Sequence, residues 1–152
     1  MTKMKISTKG RYAMRLMLDI AQYSKGGNVS LKDVSSRQDI SLKYLEQIVN
    51  MLSKAGLVRA QRGAQGGYKL GKKADDITVG DILRVTEGNM APVSCLESAE
   101  NTCPHASECL TLPFWQGLYS TINNYLDAAT LSDLLTNKGN NGIDMSLYLN
   151  QF

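Results

Sequence analysis

The stretch SLKYLEQIVNMLSKAGLVRAQRGAQGGYKL, residues 41–70, holds a helix and a hairpin in direct succession. Ser41 is a good N-cap, and Ile40 before it can close a hydrophobic staple over Leu45 at the fourth helical position. Leu45, Ile48, Val49 and Leu52 recur at helical spacing, so one face is apolar, and Gly56 supplies the stop. The opposite face presents Lys43, Glu46, Gln47 and Asn50, polar side chains able to read base edges. In isolation such a face is ordinarily just solvated. Beyond the stop, Leu57 to Gln61 and Tyr68 to Leu70 are strand-like runs around RGAQGG, which predicts a hairpin with Arg62 among glycines at its tip. An arginine so placed can enter a minor groove, whose narrow, negative channel favours it.

Upstream, Ala13, Leu16, Met17, Ile20 and Ala21 form an apolar stripe, which predicts a first helix from Arg11 to Tyr23, broken by Gly26-Gly27-Asn28. Ser30 and Asp33 resemble a capping pair that opens a second helix to about Arg37, with Leu31 and Val34 inward. Gln38-Asp39 then turn the chain into the helix of residues 41–55, a helix-turn-helix. With the hairpin behind it, the unit is a winged helix.

Downstream, Gly66, Gly71 and Lys72 match the G-x-x-x-x-G-K spacing of a phosphate-binding loop, but Lys73 stands where Ser or Thr must hold magnesium. Nucleotide binding is therefore excluded. Ile77, Thr78, Asp81 and Ile82 predict a fourth helix to about Thr86. Residues 95–109, CLESAENTCPHASEC, contain all three cysteines and the only histidine, and their lack of any period predicts a loop. Pro113 suits the first turn of a long helix. On it Trp115, Leu118, Ile122, Tyr125 and Ala129 recur at steps of three and four, a heptad seam that predicts pairing with a second copy. Thr130 and Asp133 cap a short helix through Leu135, and the tail ends in MSLYLNQF, a terminal strand or an unstructured end.

The expected fold is mainly α with a small β wing: a winged helix-turn-helix domain followed by a long C-terminal dimerisation helix. Its divisions are a DNA-binding domain over residues 1–87, a cysteine-containing sensor loop over 88–110, a dimerisation helix and short following helix over 111–138, and a tail over 139–152.

Charge is segregated along the 152 residues. Residues 1–73 carry 15 Lys and Arg against four acids (Asp19, Asp33, Asp39, Glu46), a balance of +11, and the remainder carries −8. The basic half wants a polyanion. The absence of a secretory or membrane-length apolar run predicts a cytoplasmic protein with no membrane partner. In that compartment thiols stay reduced, so clustered cysteines read as metal ligands or redox sensors before disulfides. An enzyme is disfavoured: there is no C-x-x-C, and His105 has no second histidine for a base and its orienter. A cluster scaffold that bound no DNA would not need the basic half.

MKISTKGRYAMRLMLDIA (4–21), SLKYLEQIVNMLSKAGLV (41–58) and RGAQGGYKLGK (62–72) resemble the winged-helix segments of the IscR-type, or Rrf-two, family of bacterial transcription factors. The resemblance implies a homodimer that binds a pseudo-palindromic operator in double-stranded DNA, each subunit placing its third helix in a major groove. It puts Lys43, Glu46 and Gln47 near the bases, with Tyr44 and Asn50 on the same helix. It puts Arg62 on the minor-groove wing position, and Ser7, Lys9, Arg11 and Tyr12 near phosphates. Glu46 can accept from a cytosine amino group and repels phosphate elsewhere, so it selects among sequences.

In the iron-sulfur members three loop cysteines bind a two-iron or four-iron cluster, and Cys95, Cys103 and Cys109 look like those three; soft thiolates suit such clusters. This chain departs from IscR-type members in having Leu112 where a histidine stands three positions after the last cysteine, and seven residues between the first two cysteines. His105 is the local candidate for a fourth metal ligand, beside Glu97, Glu100, Glu108, a solvent species or a partner residue. Related nitric-oxide sensors draw an acid from near the partner's first helix, where this chain has Arg11. Three cysteines and a histidine also suit structural zinc. PVSCLE (92–97) and the winged helix resemble CymR-type members as well, which need no cluster and respond through a sulfur-metabolism enzyme partner. Thiol oxidation at the loop, or a loop holding no cofactor, are the remaining readings.

Overall fold

The structure, a computed structural model, describes residues 5–136; the tail over 139–152, MSLYLNQF included, lies outside the described residues. The elements run α1 (Thr8–Tyr23), α2 (Leu31–Gln38), α3 (Leu42–Lys54), β1 (Val58–Gln61), β2 (Gly67–Leu70), α4 (Val79–Glu87), α5 (Leu112–Ala128) and α6 (Leu131–Thr136). Single 3-10 turns lie at Ala74–Asp76, Ser94–Leu96 and Ala106–Glu108.

Side-chain caps set most helix starts. Ser30 Oγ accepts from the Asp33 amide at 3.1 Å, and Ser41 Oγ from the Tyr44 amide at 3.2 Å. Thr78 and Asp81 form a reciprocal capping box at 3.0 and 2.9 Å. Helix α1 begins one turn before the expected Arg11, because Ser7 Oγ accepts from the Gly10 amide at 3.1 Å and extends the helix past its apolar stripe. The turn between α2 and α3 passes through Asp39 at φ +54°, a left-handed conformation that Asp tolerates better than most side chains.

The core lies where α1, α3 and α4 converge. Leu16, Met17 and Ile20 of α1, Leu45, Ile48 and Leu52 of α3, and Ile82 of α4 are fully buried, each removal from water stabilising by roughly 1.5–3 kcal/mol. Asp19 is buried as well, and its carboxylate accepts from Arg37 Nη2 at 2.6 Å and Nε at 3.0 Å and from Gln38 Nε2 at 2.9 Å, fixing α2 on α1.

The hairpin pairs Val58 with Leu70 through Gln61 with Gly67, antiparallel. It is seated on the loop before α2, where Val29 and Tyr68 exchange two amide-to-carbonyl hydrogen bonds, both 2.8 Å. After the cysteine loop α5 runs out with none of its side chains buried, and the chain returns to the head. There the Val79 amide donates to Ala129 O at 2.8 Å, and the Leu131 amide to Ile77 O at 3.0 Å. Ala129, expected on the heptad seam, is buried inside its own chain by that return, so it leaves the seam.

Candidate nucleic-acid interface and sensor loop

On α3 the buried Leu45, Ile48, Val49 and Leu52 force Lys43, Glu46, Gln47 and Asn50 to the opposite face, and all four are exposed. Tyr44 is half-buried and meets Tyr12 of α1 edge to face, with ring centroids 5.6 Å apart. Tyr12 in turn lies under Arg15, whose guanidinium carbon is 5.4 Å from the ring centroid. Arg15 Nε donates to Gln38 Oε1 at 3.1 Å and its Nη2 donates to Gln38 O, at the mouth of the α2–α3 turn. Arg15 adds to this cluster a residue that the sequence motifs do not mark. Its spacing of four from Arg11, which places both on one helix face, was the available signal.

Arg62 is exposed at the hairpin tip. The tip needs its glycines: Gly63 sits at φ +114°, Gly67 at φ +146°, and a Cβ on Gly67 would come within 2.6 Å of Val29 O. Asn28 ties the tip to the head, Nδ2 donating to Gln61 Oε1 at 3.0 Å and to Gln65 O at 3.1 Å.

At the start of α1, Lys9 is half-buried, and Arg11 is exposed with Nη2 donating to Thr8 Oγ1 at 3.1 Å. Ser7 is engaged from within the chain: its amide donates to Glu87 Oε1 at 3.2 Å and its hydroxyl to the same oxygen. A contact spanning 80 residues has no local sequence signal.

Cys95, Cys103 and Cys109 are free thiols, half-buried on one loop. Cys95 lies in the 3-10 turn at Ser94–Leu96. The Cys103 amide donates to Asn101 Oδ1 at 2.9 Å, and Cys103 O accepts from Ala106 at 3.1 Å. Cys109 Sγ lies 3.4 Å from Thr111 Oγ1; that hydroxyl, followed by the backbone amides of Thr111 and Leu112, holds the thiol below its usual pKa. His105 is exposed, as are Glu97, Glu100 and Glu108, and Leu112 is half-buried in the first turn of α5. The donor set fits thiolate metal chemistry in kind. Among the described residues, however, no three Cys, His, Asp or Glu side chains are grouped closely enough to hold a metal ion.

Along α5, Trp115, Leu118 and Ile122 are half-buried, while Tyr125 is 48% and Phe114 66% exposed. Among the described residues no helix is long and apolar enough to cross a membrane.

An exposed polar face on α3, an arginine-tipped wing and basic residues at the start of α1 on one winged helix are the features of a DNA-binding regulator. The chain belongs to the Rrf2 family, described as "Iron-dependent Transcriptional regulator", whose profile matches residues 6–137. It is similar to the protein rrf2 of Nitratidesulfovibrio vulgaris, 44% identical over 133 residues covering 87% of each chain. It is similar also to the HTH-type transcriptional regulator IscR of Vibrio atlanticus, 42% identical over 94% of this chain and 80% of that one. Among solved structures, CymR, the global cysteine regulator of B. subtilis, superposes with a TM-score of 0.71 at 42% identity, covering 87% of this chain and 96% of that one. T. potens IscR superposes with 0.69 at 40% identity over 91% of both. The chain is thus a transcriptional regulator of the IscR and CymR kind rather than an enzyme.

Proposed function

We propose that the protein is a homodimeric regulator that binds a pseudo-palindromic operator and reports iron-sulfur or thiol status through its cysteine loop. One observation carries the reading: three free, half-buried thiols share a loop that joins the last helix of a basic DNA-binding head to a helix with no buried side chain. In this reading Lys43, Tyr44, Glu46, Gln47 and Asn50 face the bases of a major groove, Arg62 enters the adjoining minor groove, and Ser7, Lys9, Arg11 and Tyr12 lie along phosphates. The half-exposed seam of Trp115, Leu118, Ile122 and Tyr125 supports pairing of two chains through α5, which spaces two reading heads along the duplex. Cys95, Cys103 and Cys109 would hold an iron-sulfur cluster, with His105 as the local fourth ligand, and the cluster would supply iron- and oxidant-sensitive cross-linking of the loop. The loop residues would be drawn together from their present separation, and that reordering would bias how the two heads are placed.

The test is anaerobic purification followed by an absorption spectrum, iron, zinc and sulfide analysis, and operator affinity with and without the bound group at fixed salt. Visible thiolate-to-iron absorption with iron and sulfide, and a changed operator affinity, are expected. Equal affinities for every operator tried would remove the switch but not DNA binding.

A second reading is favoured by the CymR likeness: a regulator of cysteine metabolism that acts without a cluster, with zinc or thiol oxidation at the loop, and through a sulfur-metabolism enzyme. Protein lacking both iron and sulfide, whose affinity changes on reversible thiol oxidation or on adding such an enzyme, would establish it.

A further inference from the structure

We propose that the contact of Glu87 with Ser7 is an autoinhibitory tether joining the mouth of the cysteine loop to the DNA-binding segment; the inference rests on the operator-binding reading above. Ser7 caps α1, and its amide and hydroxyl both donate to Glu87 Oε1. These are the donors that the start of α1 would turn to a phosphate. While Glu87 holds them they are spent on the chain's own carboxylate, whose charge also repels the backbone of an approaching duplex. The fit is close: a Cβ at the buried Gly10 would meet Glu87 Oε1, so glycine there leaves room for the carboxylate in its present place over the start of α1.

Glu87 is the last residue of α4. Gly88 follows at φ +72°, and Asn89 then gathers the loop and α5: its Nδ2 donates to Glu97 O at 2.6 Å, and its Oδ1 accepts from the Tyr119 hydroxyl at 3.1 Å. One glycine therefore separates the tether from the residue that ties the cysteine loop to α5. Any rearrangement of that loop that moves Asn89 pulls on Glu87, and by linkage DNA that captures Ser7 loosens the loop. Glu87 acts through Ser7, as a positioning residue.

The experiment measures the affinity of the full-length protein and two variants for one duplex, selected from random-sequence DNA by the unmodified protein, at fixed salt. Glu87→Asp keeps the charge but falls a methylene short of Ser7, and tighter binding by roughly threefold to tenfold is expected, the range of one hydrogen bond released. Glu87→Gln removes the charge and keeps the reach. Tightening by Gln while Asp matches the unmodified protein would reduce the effect to plain repulsion and overturn the tether, as would unchanged or weaker binding by Asp. A second measurement needs no variant: the Glu87 side-chain carboxylate carbon signal shifts when the unmodified protein binds the duplex, and a signal unmoved by saturating duplex overturns the tether. If the unmodified protein selects no duplex at all, the operator-binding reading itself fails; duplex binding with no response at Glu87 defeats the tether alone.

Discussion

The DNA-binding head and the cysteine arm of this chain are held by different means. In the head, whole side chains of α1, α3 and α4 are sealed from water, and the buried carboxylate of Asp19 is saturated by Arg37 and Gln38. In the arm, α5 spans 17 residues without one buried side chain. Polar contacts fasten it to α4 and the loop: Arg84 with Asp127 at 2.6 Å and with Asn123 at 3.0 Å, and Tyr119 with Asn89 at 3.1 Å. Apolar burial stabilises in proportion to area, whereas half-exposed ion pairs net little. The head is thus held mainly by buried apolar side chains, whereas α5 leaves Phe114 and Tyr125 largely in water.

The sharpest way to break this contrast is to truncate one apolar side chain in each region. Ile48→Ala in the head leaves a cavity among close-packed neighbours and should cost about 2–5 kcal/mol in urea unfolding. Phe114→Ala in the arm, where the ring is 66% exposed, should change the stability of the dilute chain by less than about 0.5 kcal/mol. Comparable losses would mean the arm is as firmly packed as the head.

Ion pairs sharpen the same contrast. Asp19→Ala strands a guanidinium that is 31% exposed and stacked over Tyr23 at 4.1 Å, so water relieves part of the loss, and about 2 kcal/mol of thermal or urea stability should go. Asp127→Ala in the arm breaks a pair whose side chains are 38% and 48% exposed, and should cost about 0.5 kcal/mol or less. Within the head, Arg62→Ala should weaken operator binding by about 1–3 kcal/mol and relax preference at an A/T-rich position, while Lys9→Ala should weaken all duplexes alike. Identical, sequence-blind losses from both would reduce Arg62 to a phosphate contact.

The two regions also differ in how far the sequence could be read. Caps at Ser30, Ser41 and Thr78 and the stripe on α3 are signals between residues three or four apart, so the helix-turn-helix and its exposed polar face follow from local patterns. The start of α1 is not legible in the sequence because its first turn, Thr8-Lys9-Gly10, carries no apolar residue, and the Ser7 cap lies outside the stripe. Contacts such as Ser7 with Glu87, or Arg15 with Gln38, join residues far apart in the chain, and no local pattern encodes them. Ala129 fits the heptad spacing, yet backbone pairing with Val79 claims it for the head. The cysteine segment has no period, so sequence supplied its donor atoms without their arrangement, and the described thiols stand ungrouped.

The smallest expected effect concerns those thiols. Cys109 Sγ is 3.4 Å from the Thr111 hydroxyl, which with the amides of Thr111 and Leu112 stabilises the thiolate and lowers its pKa. A lowered pKa enlarges the thiolate fraction at pH values below the ordinary thiol range, and the thiolate is the species that alkylates or binds metal. Thr111→Val removes the hydroxyl while keeping the side chain's shape, so Cys109 should alkylate more slowly near neutral pH, with the difference vanishing once the pH exceeds both pKa values. Iodoacetamide labelling followed by peptide mass spectrometry reads this directly, with Cys95 and Cys103 in the same digest as internal standards. Superimposable pH profiles for Cys109 in the two proteins would show that the hydroxyl does not tune it. In the arm, chemistry would then rest on whatever gathers the cysteines together, with no preparation by the fold beforehand.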